Sequence, residues 1–171
     1  MIERVLIDTL NLRARDFAVH WKDSIRKNPQ LKHFNEMDDE ALIEAEVKYY
    51  PLLARTLDRG LDRSLVGDFF VTMGKERMRE GFPISEVIYA LNLAQKTVIE
   101  YLMTEFAPEN PMRMYQSMGA LTHVAEFCLL GSFYISKGFL EETYTSMSAS
   151  DKVSEELLKK YFKDDFFFKK N

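Results

Sequence analysis

Apolar residues recur every three to four positions along almost the whole of this chain, and no stretch alternates apolar and polar for long. A period near 3.6 collects such residues on one stripe of a helix, whereas a half-buried strand needs a period of two. The expected fold class is therefore all-α: a bundle of five to six helices joined by short connections. Leu6, Leu10, Phe17, Trp21 and Ile25 predict a first helix over residues 2–27, stopped by the Asn28-Pro29 pair. Asp38 and Asp39 supply an N-cap and an acidic first turn for a second helix, inside which Pro51 must force a kink or a restart. A third is expected over 62–80 and a fourth over 84–106, ahead of a turn at "APENP". The fifth is long, with Met118, Leu121, Ala125, Cys128, Ile135 and Phe139 at helical spacing. The expected division is a helical domain over 1–145, then a linker and short amphipathic helix over 146–171.

Glycine is scarce, 7 of 171 residues, yet Gly60, Gly67, Gly74 and Gly81 follow one another at intervals of seven. Gly60 and Gly81 fall where helices end and read as left-handed caps. Gly67 and Gly74 fall inside a helix, where each costs about 1 kcal/mol relative to alanine. Close approach of a second helix offsets that cost, so both are assigned to a tight helix contact. Gly131 and Gly138 are the natural other half. Replacing Gly74 with leucine should overpack such a contact, while alanine is expected to be tolerated.

Composition narrows the function classes. A net charge of −4, with Lys and Arg interspersed among Asp and Glu, gives none of the concentrated basic surface that nucleic acids require. The single cysteine, Cys128, cannot form an intrachain disulfide and fits a reducing, cytoplasmic compartment. Its apolar neighbours mark it as a buried, inert thiol. Charges break up the N-terminal stretch where a signal peptide needs its apolar core. The longest nearly uncharged apolar run, "FCLLGSFYI", is too short to cross a bilayer, so no stable membrane insertion is expected.

Candidate chemistry is sparse. "MGKERMREG" lacks the spacing of a phosphate loop, since Glu76 follows the lysine and the context is helical. Asp16, His20 and Asp23 share one face of the first helix, and His123 lies one turn from Glu126. Neither histidine stands in the paired Glu-x-x-His order of a di-iron bundle, so no metal is assigned. No Ser/His/Asp or Cys/His arrangement can be justified from the sequence. His20, Trp21 and His123 are the candidate ligand-binding residues. The tail "SEELLKKYFKDDFFFKKN" carries Leu158, Phe162 and Phe166 on one stripe and is assigned to an interface, most simply that of a homodimer.

The run "FVTMGKERMREGFPISEVIYALNLAQKTVIEYL" resembles the N-terminal sensory domain of RsbR-type stressosome co-antagonists. Gly74, Arg77, Met78 and Gly81 occupy that family's helix-ending pattern, followed by Phe82, Pro83 and the Ile84–Leu91 stripe. "FAVHWKDSIRKNP" is similar to the family's tryptophan-containing helix, and "YYPLLARTLDRG" to its second helical pair; together the resemblance spans roughly residues 10–140. It implies a regulatory input module rather than an enzyme, of globin-like fold, that holds no haem or other cofactor and signals to a protein partner. Family members commonly precede an output domain. Nothing after residue 140 is large enough to be one, so this chain is expected to act alone, in trans, or as one subunit of a signalling complex. The competing expectation is a ligand- or haem-binding globin-like protein with a buried pocket.

Overall fold

The computed structural model of the chain describes residues 2–105, 111–150 and 152–156. Among the described residues every regular element is an α-helix, and there is no strand. The fold is all-α and bundle-like, as periodicity requires. The described residues form eight helices, where five were expected before the tail: α1 (Ile2–Leu12), α2 (Ala14–Arg26), α3 (Lys32–Glu36), α4 (Asp39–Glu46), α5 (Tyr49–Arg59), α6 (Arg63–Arg79), α7 (Ile84–Glu105) and α8 (Pro111–Ser148).

Against the five helices expected before the tail, the surplus comes from three places, one of them the restart at Pro51. The first expected helix is broken at Arg13, whose backbone (φ −118°, ψ 26°) leaves helical geometry and lets the stripe change direction between α1 and α2. The segment after Pro29 is not a plain loop but holds the one-turn helix α3, captured by Arg26. That guanidinium donates to the carbonyls of Asn35 (3.1 Å) and Met37 (2.6 Å) and to Asp39 Oδ1 (2.8 Å). Asp38 caps α4 as anticipated, accepting from the Ala41 N–H at 2.8 Å. Pro51 is absorbed by a restart, since it lies in the first turn of α5, where the missing N–H costs little.

The chain divides into two compact units, Met1–Asp62 with Tyr89–Leu129, and Arg63–Ile88 with Leu130–Asn171. The sequence shows no boundary before residue 145 because two of the three crossings, after Ile88 and after Leu129, fall inside uninterrupted helices. No proline or polar run marks them, and Gly131, just past Leu129, leaves the helix unbroken.

In the first unit α1 packs on α5 and α2 on α4. Leu6, Leu10, Ala18, Ile25, Leu42, Tyr50, Leu53, Val98 and Val124 are wholly buried there. Burying the Val, Leu and Ile side chains among them contributes about 1.5–3 kcal/mol each. Trp21 is 2% exposed, and its indole N–H donates to the Ala90 carbonyl at 2.8 Å. That satisfies the polar edge of a core aromatic and ties α2 to α7.

In the second unit α6 and α8 cross through glycine. An added Cβ at Gly74 would collide with the Ile135 carbonyl oxygen and lie 3.0 Å from the Phe139 nitrogen. One at Gly138 would collide with the Val71 carbonyl oxygen and lie 2.8 Å from its carbon. The contact is reciprocal, backbone against backbone. Alanine is therefore excluded at Gly74 along with leucine, contrary to the expectation above, because the obstacle is main chain that cannot rotate away. Gly67 is also buried, two turns earlier on α6.

Gly81 (φ +84°) ends α6 with paired bonds, from the Phe82 N–H to the Arg77 carbonyl (2.9 Å) and from the Gly81 N–H to that of Met78 (3.0 Å). This is the Schellman arrangement. The Arg77 guanidinium stacks 4.8 Å above the Phe82 ring.

α8 is longer than the apolar run singled out in the sequence. Its Tyr115–Ser148 stretch is long and apolar enough to cross a membrane by length and composition, with mean hydropathy 1.3, and 39% of the window is buried by protein. The run "FCLLGSFYI" is too short by itself but lies inside this longer helix.

Candidate functional site

The first unit contains a groove of about 400 Å³ between α2 and the C-terminal half of α7. Asp16, His20 and Asp23, four and three residues apart, point one edge of α2 into it, and Thr97, Glu100, Tyr101 and Thr104 face them from α7. Phe17, 5% exposed, lies at its base with its ring edge-on to that of Tyr101, centroids 5.2 Å apart. The Tyr101 hydroxyl is fixed by Thr9 Oγ1 at 3.3 Å.

Several of the charges are held by ion pairs. Arg13 binds Asp16 at 2.8 Å, which raises the guanidinium pKa first through that hydrogen bond. Lys22 binds Asp23 at 2.7 Å, and Lys96 binds Glu100 at 2.8 Å. Arg13, Asp16, Asp23, Lys27, Glu100 and Glu105 thus give the groove charged walls over an aromatic base. Such a surface suits a small polar ligand. It does not suit haem, whose macrocycle needs an apolar crevice on both faces.

The three ligand candidates from the sequence separate. His20 lines the groove. Trp21 turns the other way, into the core. His123 is exposed on α8 and pairs through Nδ1 with Glu3 at 3.1 Å rather than with Glu126. The helix-contact residue Gly74 lies at the α6–α8 crossing. Leu158, Phe162 and Phe166 lie outside the described residues. No group of three or more His, Cys, Asp or Glu that could hold a metal occurs among the described residues.

Sequence reasoning missed a buried polar cluster formed by Glu46, Tyr49, Tyr50 and Cys128. Glu46 is 7% exposed although it reads as part of a polar helix face. The Tyr49 hydroxyl and Cys128 Sγ are 3.0 Å apart, and the Tyr50 hydroxyl donates to the Phe17 carbonyl at 3.3 Å. Burial pushes the Cys128 thiol up to about 12 and lifts both phenols well above their usual value, Tyr50 further through the Glu46 carboxylate. A thiol held protonated is a poor nucleophile, so the cluster is a structural tie between α5 and α8.

A second surface feature stands out on α8. Tyr115, Met118 and Leu129 are 78, 57 and 70% exposed, on the side opposite buried Ala120, Val124, Phe127 and Cys128, and Met112, 67% exposed, lies about a quarter turn off their line. The sequence shows the apolar positions but cannot tell the covered stripe from the uncovered one, since both are apolar.

No family model, curated protein or solved structure matches the chain.

Proposed function

We propose that this chain is a bacterial, cytoplasmic signalling input or adaptor domain, of the kind found in RsbR-type stressosome co-antagonists. It acts through protein–protein contacts and catalyses no reaction of its own. The observation that carries this reading is the outer face of α8, where Tyr115, Met118 and Leu129 are exposed on a helix whose opposite face is buried. Clustered exposed apolar side chains generally mark interaction surfaces. The resemblance around Gly74–Leu91 supplies the signalling context. The test is genetic: Tyr115→Glu with Leu129→Glu, introduced into the native gene, should abolish the stress-induced transcriptional output while circular dichroism of the purified protein stays unchanged. A normal output from the folded variant would overturn the reading.

The α2–α7 groove favours a second reading, a ligand-binding module. A polar metabolite bound there should raise the melting temperature of the wild-type protein and not of Glu100→Gln with Asp23→Asn. Screening charged metabolites by thermal shift decides it.

A further inference from the structure

We propose that the α2–α7 groove binds a linear organic polycation, a polyamine of the spermidine class. The inference rests on the ligand-binding reading of that groove and names the ligand's chemistry.

Two independent observations point to a donor-rich cation. The first is what the hydroxyl groups present. Ser24 donates to the His20 carbonyl (3.2 Å), Thr97 to that of Leu93 (3.0 Å), Thr104 to that of Glu100 (2.8 Å), and Tyr101 to Thr9 Oγ1 (3.3 Å). A hydroxyl has one proton to give and two lone pairs with which to accept. All four protons are committed within the chain, so these side chains offer a ligand only acceptor oxygens. Thr97 does so from the floor, at 7% exposure. The second observation is charge. Asp16, Asp23, Glu100 and Glu105 line the groove against Arg13 and Lys27, four carboxylates to two cations. Carboxylates also only accept, so the lining as a whole is matched by N–H donors. An ammonium group brings three donors and the opposite charge. A phosphate or carboxylate ligand would meet acceptors and like charge.

Shape narrows the class. Arg13 and Lys27 flank α2 as its capping residues, about 21 Å apart along the helix, and limit the cationic stretch to what lies between them. Within it, Asp16 and Asp23 are separated by about 10 Å along one edge. That is comparable to the span between the end nitrogens of an extended triamine. Phe17 and Tyr101 form the base between those carboxylates, so methylene groups lie over aromatic rings whose faces also attract cations. A bare metal ion is not matched, because no group of three or more His, Cys, Asp or Glu among the described residues could hold one. The existing ion pairs leave the carboxylates available. The side chains of Arg13 and Asp16 are each 58% exposed, and those of Lys96 and Glu100 are 60 and 59% exposed. Pairs so open to water contribute little and exchange readily for a ligand's ammonium groups.

The experiment is calorimetric titration of the full chain with spermidine at neutral pH. One-to-one binding should persist in physiological salt, and hexylamine, with its single ammonium, should bind at least about 10-fold more weakly, having lost one or more charge pairs. Glu100→Gln with Asp23→Asn should weaken spermidine about 10-fold, as removal of two half-exposed carboxylates would. Glu36→Gln with Glu76→Gln takes the same charge from exposed positions outside the groove and should leave the affinity unchanged. Equal weakening by both double variants, or loss of binding in physiological salt, would mean diffuse attraction to an acidic protein and overturn the proposal. Hexylamine as tight as spermidine, or displacement of spermidine by equimolar Mg²⁺, would overturn it too. Spermidine may also fail while a neutral or anionic metabolite raises the melting temperature of the wild type and not of Glu100→Gln with Asp23→Asn. That outcome would overturn the polycation and leave the ligand-binding reading standing. If no metabolite raises it, both fall.

Discussion

A methyl group added at Gly74 would run into the Ile135 carbonyl, whereas one added at Gly60 would meet nothing within 4 Å. Both positions demand glycine, for different reasons. Gly60 has φ +81° and ψ 169°, a region nearly closed to side chains, so Gly60→Ala should cost about 1–3 kcal/mol through the backbone alone. Gly74→Ala gains helix propensity but must push α8 away, and should cost a net 1–3 kcal/mol or more by overpacking. Denaturant midpoints measure both, and a Gly138→Ala background separates them. That change already opens the crossing, so it should blunt the Gly74 effect and leave the Gly60 effect whole. An unchanged midpoint for Gly74→Ala would mean the crossing is loose. Cys128 gives a second check at this scale. With its thiol pushed to about 12, it should resist alkylation at pH 8 in the folded protein and react fully once unfolded. These residues were readable in the sequence because glycine and cysteine have few structural uses. Glu46 was not, because a single glutamate on a helix gives no sign that the neighbouring chain will cover it.

At the scale of elements, legibility tracks whether a signal is local. The Asp38 cap, the Pro51 restart and the Gly81 stop are written within a few residues of where they act, and each appears in the structure. The break at Arg13 and the short α3 depend on what surrounds them. The α3 segment is held by Arg26 from the preceding helix, together with the Asn35 side chain, which donates to the Asn28 and Leu31 carbonyls at 3.0 and 2.9 Å. Arg26→Leu should therefore cost about 1–2 kcal/mol, by removing charge-assisted bonds to main-chain carbonyls at the end of α3. Arg26→Lys should not rescue it, since a single ammonium cannot span several acceptors held by a planar fork. Amide exchange would show the loss as faster exchange in residues 28–38, and wild-type rates there would refute the clasp. The groove was half legible. The Asp16–His20–Asp23 edge follows from helical spacing, but its α7 wall lies some 80 residues away, and no pattern in one sequence pairs them.

For the whole molecule, each compact unit is bound in part by one arginine–carboxylate pair, and the two pairs predict how the protein meets acid. In the first unit, hydrogen bonding from Arg26 holds the Asp39 carboxyl below its ordinary 3.8. In the second, Arg79 donates to both Glu142 oxygens at 2.8 and 2.9 Å and holds that carboxyl below 4.5. A carboxyl with a depressed folded pKa binds its proton more readily in the unfolded chain, so falling pH pulls the equilibrium toward unfolding. The stabilisation is complete above the unfolded values and drains away as pH drops from about 4.5 through the depressed folded ones. The two pairs differ in exposure. Asp39 is 62% exposed, so salt should screen its share, while Glu142 is 14% exposed and should keep its share in salt. Urea midpoints measured from pH 7 to pH 3 should stay level to about pH 5 and then fall. In high salt, Glu142→Gln should start lower at neutral pH and show a shallower acid limb than wild type, because the carboxyl that titrates is gone. If the two limbs run parallel, the Arg79–Glu142 pair does not contribute to acid sensitivity, and other carboxylates govern it.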